Sequence, residues 1–68
     1  KDMKLLWNAI VEKYEYSTKD ERQMHKRQMI KEGYEDTGLV TQSVPGEDGI
    51  YRRVLCGEYR KYITKWQS

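Results

Sequence analysis

The chain has 68 residues, enough for one small domain with one thin core, and is read as a single domain over residues 1–68. With 37% hydrophobic residues, 35% charged residues and a net charge of +2, it is too apolar for a disordered segment and too mixed in sign for a basic tail. One cysteine and one histidine exclude an internal disulfide and a Cys/His zinc cage, so no metal or cofactor is expected.

The longest apolar runs, Leu5-Leu6-Trp7 and Ala9-Ile10-Val11, are far short of a membrane span, and no charged-then-apolar leader opens the sequence. A cytoplasmic location without membrane association is the expectation.

Residues 4–16 fit two periods. As a strand, Ile10, Tyr14 and Tyr16 share one face and Trp7, Ala9 and Val11 the other; as a helix, Met3, Leu6, Trp7, Ile10, Val11 and Tyr14 form a stripe. The β-branched and aromatic content, and the absence of a loop before the next element, favour the strand.

That next element is a helix over residues 19–32. Ser17 or Thr18 caps its first turn, and Glu21, three residues after Thr18, completes a capping-box pattern. Asp20 and Glu21 suit the positive end of the helix dipole, and Gly33 stands where a left-handed residue ends a helix. No clean apolar stripe runs along it. Lys19, Arg22, Lys26 and Arg27 lie on one broad side, Met24, His25 and Gln28 on the other, with Met29 at the border.

After an irregular lead-in over 34–38, residues 39–44 form a short β-favouring run, Pro45-Gly46-Glu47-Asp48-Gly49 a turn, and residues 50–56 a second run of matching length. The two runs predict a hairpin. Gly57 is expected to interrupt its second strand. Beyond it, Tyr59, Tyr62, Ile63 and Trp66 fall at helical spacing, which suggests a short C-terminal helix, with continued strand as the rival.

The fold class is therefore α+β: an antiparallel three-stranded sheet carrying one helix, in the order β-α-β-β, with or without that final helix. The alternative is an all-α bundle built on the stripes at 3–14 and 50–66. It would leave residues 34–49 as a long loop containing Leu39, Val40 and Val44, which is uncommon in a small domain.

No catalytic set assembles. His25 has no nucleophile placed beside it by a local motif and reads as a half-buried helix residue. Cys56, near Arg52, Arg53 and Arg60, reads as a small apolar strand residue rather than an activated thiol. The acid pairs Glu35-Asp36 and Glu47-Asp48 match no calcium loop and read as solvated loop charges. Neither an enzyme nor a small-molecule binder is expected.

If pairing continues past Gly57, Tyr51, Arg53, Leu55, Tyr59 and Lys61 share one strand face. Basic residues interleaved with tyrosines serve either as a protein hot spot or as a surface for stacking bases and holding phosphates. The leading expectation is a protein-binding module with Tyr51, Arg53, Tyr59, Lys61 and Trp66 at its binding surface. The alternative is a nucleic-acid module using the basic helix side, Lys19, Arg22, Lys26 and Arg27, with Arg52, Arg53, Arg60 and Lys61. The eleven acidic residues dilute a phosphate-binding surface and favour protein. The thin core, with two Trp and six Tyr to place, predicts aromatic surface covered by a partner or a second copy, with homodimerisation favoured.

Tyr14, Tyr16, Ser17, Thr18, Glu21, Arg22, His25, Met29, Gly33 and Tyr34, set in this element order, resemble small βαββ proteins encoded by bacterial phages and integrated elements. The resemblance implies an accessory, inhibitory or host-modulating role with no fixed activity. It assigns no functional residue.

Overall fold

The computed structural model describes residues 2–64. Its elements are β1 (Asn8–Glu15), α1 (Lys19–Lys31), β2 (Glu35–Asp36), β3 (Thr41–Pro45) and β4 (Tyr51–Thr64). The fold is α+β, one helix packed on an antiparallel sheet, and the all-α alternative does not hold. Among the described residues no helix is long and apolar enough to cross a membrane.

Both helix ends form as the local residues dictate. Thr18 Oγ1 accepts from Glu21 N at 3.1 Å, and Glu21 Oε1 accepts in return from Ser17 N at 2.7 Å. At the other end Gly33 takes φ +95°, so that Gly33 N donates to Ile30 O and Tyr34 N donates to Met29 O, a Schellman closure. The face turned to the sheet is not an apolar stripe. Arg22, His25, Lys26 and Met29, spaced by three and four residues, are its shielded positions, while Met24 and Ile30 face out.

β4 is the axis of the sheet. β1 pairs along its C-terminal half, from Glu15 opposite Cys56 to Asn8 opposite Thr64. β2 and β3 share its other edge, β3 beside residues 51–55 and β2 beside residues 59–60. The alternating backbone groups show the two sides: Leu55 O accepts from Tyr16 N, whereas Cys56 N donates to Val40 O and Glu58 O accepts from Thr37 N. The expected hairpin forms, closed by Gly46 N donating to Ile50 O and by Gly49 at φ +81°.

Three expectations are corrected. Gly57 does not interrupt the strand, which runs unbroken through 14 residues. A Cβ at Gly57 would lie 2.7 Å from Tyr59 Oη and 3.0 Å from Tyr16 Cε2, so the glycine makes room for two rings crossing the sheet. The short C-terminal helix is replaced by strand as far as Thr64, because residues 56–62 and 64 find ladder partners in β1. The sheet has four strands rather than three, since the lead-in contains β2, held by Thr37 N donating to Glu58 O and by the ion pairs of Asp36.

The core lies between α1 and the helix side of β4. Tyr16, Met29 and Tyr59 form it, with Tyr34 and Leu55 packed against them. Among the described residues no element covers the other side of the sheet, the bare side. The Cα radius of gyration is 15.6 Å, against about 11 Å for a compact chain of this length.

Candidate binding face

β4 sorts the expected site residues by parity. Tyr51, Arg53, Tyr59 and Lys61 do share one face, but it is the face that carries α1. Tyr59 is 0% exposed and belongs to the core, so it cannot serve as a surface anchor. Lys61 lies over the Tyr34 ring, 5.5 Å from its centroid, and its side chain passes 3.4 Å from the position a Cβ would take at Gly33. Tyr51 and Arg53 are exposed at the far end, near the hairpin turn. Trp66 lies outside the described residues.

The basic helix side is divided in the same way. Lys19 and Arg27 are exposed, whereas Arg22 and Lys26 reach Asp36 at 3.6 and 3.4 Å. Arg22 also donates through Nε to Cys56 O at 2.8 Å and through Nη2 to Leu39 O at 3.1 Å. It is a pin between helix, β4 and the chain leading into β3. Two of the four basic residues are thus committed to folding.

His25 sits among three tyrosines, with ring centroids 4.5 Å from Tyr14, 5.5 Å from Tyr16 and 5.7 Å from Tyr59. Its Nδ1 is 2.5 Å from Tyr16 Oη, which is itself 3.1 Å from Tyr59 Oη. Burial, and then the hydrogen bond with Tyr59, push the Tyr16 phenol well above the ordinary tyrosine range. The fold therefore prefers the neutral phenol. Its contribution is complete below the unfolded value near pH 10 and declines as the pH rises above it. The urea midpoint is expected to fall from about pH 10 upward, and less steeply in Tyr16→Phe; an identical alkaline profile in the variant would contradict this assignment.

Cys56 is buried on the bare side of the sheet. Lys13 Nζ donates to Gln42 Oε1 at 2.6 Å, bridging from β1 to β3 across β4 at this point. Three of the four acids in these pairs are engaged: Glu35 with Arg60 at 3.2 Å, Asp36 with Arg22 and Lys26, and Asp48 with Arg52 at 3.6 Å, while Glu47 is exposed in the turn. Asp48 Oδ1 also accepts from Ile50 N within the turn. Among the described residues no group of three His, Cys, Asp or Glu side chains is placed to hold a metal.

The bare sheet face has three zones along β4. At the C-terminal end, Trp7 stands edge-on to Tyr62 with centroids 5.6 Å apart, beside Ala9 and an exposed Val11. Trp7 is 57% exposed. In the middle, Lys13 and Glu58 pair at 3.8 Å and Arg60 lies over the Tyr62 ring. At the hairpin end, Val44 and Val54 floor a depression of about 590 Å³ rimmed by Glu15, Glu47, Asp48 and Arg52.

The alternation in residues 7–11 pointed to half of this face, since Trp7, Ala9 and Val11 share one side of a strand. Val44, Val54 and Tyr62 gave no signal. Which side the helix covers is a non-local outcome that no spacing reveals. The chain matches no protein-family model, no curated protein and no solved structure.

Proposed function

We propose that this domain is a non-enzymatic, cytoplasmic protein-binding module that engages its partner through the bare face of the sheet. The observation that carries the proposal is the uncovered sheet itself: Trp7, Val11, Tyr62, Val44 and Val54 lie on a face that no described element covers. Apolar and aromatic surface left open in this way marks an interaction site. The Trp7 and Tyr62 pair at one end and Arg60 beside it are of the residue types that dominate binding energy between proteins.

Charge supports protein over nucleic acid. Arg22 and Lys26 are tied to Asp36, and the bare face mixes Lys13, Arg52 and Arg60 with Glu15, Glu35, Glu58 and Asp48. A surface for phosphates needs an undiluted positive field. A binding domain without a catalytic set acts by occupying its partner, the mode of an inhibitor or accessory factor.

The test is capture from a bacterial lysate on immobilised wild-type domain and on Val11→Arg and Val54→Arg. Captured protein that survives nuclease and high salt, and is lost with either variant, is the expected result. Captured nucleic acid that is released by salt and unaffected by the variants would refute the reading.

A further inference from the structure

We infer that the hairpin end of the bare face binds an extended segment of a partner protein and holds one arginine of that segment in the depression floored by Val44 and Val54. The inference rests on the protein-binding reading of the face and names the chemistry of its partner.

Charge selects the ligand. The rim of the 590 Å³ depression carries Glu15, Glu47, Asp48 and Arg52, three carboxylates to one guanidinium, in a chain whose net charge is +2. Arg52 is paired with Asp48 at 3.6 Å. The carboxylates of Glu15 and Glu47 have no hydrogen-bond or ion-pair partner among the described residues. The neighbouring cations leave them so: Arg53 lies on the helix side of β4, and Lys13 is held by Gln42 and Glu58. No group of three His, Cys, Asp or Glu side chains among the described residues is placed to hold a metal, so the rim suits a larger cation that spans separate carboxylates.

The floor adds a second requirement. Val44 and Val54 are half-buried, and both also line a narrower recess of about 170 Å³ that includes the buried Cys56. An arginine meets both demands, because its aliphatic stem packs on apolar surface while the guanidinium reaches carboxylates at the rim. It is also among the residue types that dominate binding energy between proteins.

The ladder leaves a place for the segment's backbone. β1 ends at Glu15, opposite Cys56, whereas β4 begins at Tyr51. Leu55 O accepts from Tyr16 N on the β1 side, and Cys56 N donates to Val40 O on the β3 side. By the alternation of an antiparallel ladder, the peptide groups of Tyr51 and Arg53 point to the β1 side, where no strand lies beside them among the described residues. An extended segment in line with β1 pairs there by strand addition. Its alternate side chains then fall on the bare side, next to Glu15 and Val54.

The experiment is selection of random phage-displayed peptides on the purified chain, followed by affinity measurements on the synthetic peptides recovered. These are expected to share an arginine. Their affinity is expected to fall at least about tenfold for the double variant Glu15→Gln/Glu47→Gln, through loss of the charged hydrogen-bond acceptors. Circular dichroism of that variant should be unchanged, since both side chains are exposed and unpartnered. Citrulline in place of the peptide arginine is expected to weaken binding to the wild-type chain in the same way, an arm that needs no protein variant. N-methylation of alternate peptide residues is expected to abolish binding in one phase of the alternation and to spare it in the other. No recovered peptide, no shared arginine, an affinity unchanged in the double variant, or equal effects of the two methylation phases would overturn the inference. A lysate protein that the double variant still captures and Val54→Arg loses overturns the arginine site and leaves the protein-binding reading in place. Capture that ignores the double variant, Val11→Arg and Val54→Arg alike overturns both.

Discussion

Tyr59→Ala is expected to leave little or no folded protein at room temperature. Tyr59 is fully buried, packs against Tyr16 and Met29, and together with Tyr16 fills the space above Gly57. Removing a large buried aromatic side chain costs about 3–5 kcal/mol, and a core of this size supplies a net stability of about the same magnitude. Tyr59→Phe keeps the ring and loses only the Oη contact with Tyr16, at a cost of about 1 kcal/mol. Urea unfolding followed by circular dichroism separates the two. A Tyr59→Ala protein with a wild-type midpoint would show that the core lies elsewhere.

Arg22→Met is expected to destabilise the domain by about 2–3 kcal/mol, the range for losing hydrogen bonds from a charged donor to shielded acceptors, although methionine preserves the apolar stem. The arginine holds Cys56 O, Leu39 O and the Asp36 carboxylate together, and its side chain is only 12% exposed. Without it two backbone carbonyls lose their side-chain donor, and Asp36 keeps Lys26 alone among its cations. Lys19→Met and Arg27→Met, at exposed positions of the same helix, should shift stability by no more than about 0.5 kcal/mol. Equal midpoints for all three variants would return Arg22 to the basic surface on which its sequence position first placed it.

These two residues mark the boundary of what a single sequence discloses. Arg22 looked like one of four basic side chains on a helix flank, and Tyr59 like a surface aromatic between arginine and lysine. Both assignments followed correctly from local spacing. Both changed once α1 came down on β4, because the partners of Arg22 lie 14, 17 and 34 residues away and Tyr16 meets Tyr59 across 43.

What the sequence determined by itself is what neighbours within a few residues decide. The Thr18 cap with Glu21, the Gly33 terminator and the Pro45 to Gly49 turn each close through hydrogen bonds between residues at most five apart. Their chemistry is therefore written contiguously. The strand preference of residues 8–15 and the hairpin pairing followed from composition and matched lengths. The uninterrupted course of β4, the two-residue β2 and the polar inward stripe of α1 were decided only by tertiary structure. So was the side of the sheet left bare. Gly57 shows the reason: a strand glycine taken alone weakens pairing, but here the rings of Tyr16 and Tyr59 fill its missing side chain, and that compensation exists only after strand and helix have met.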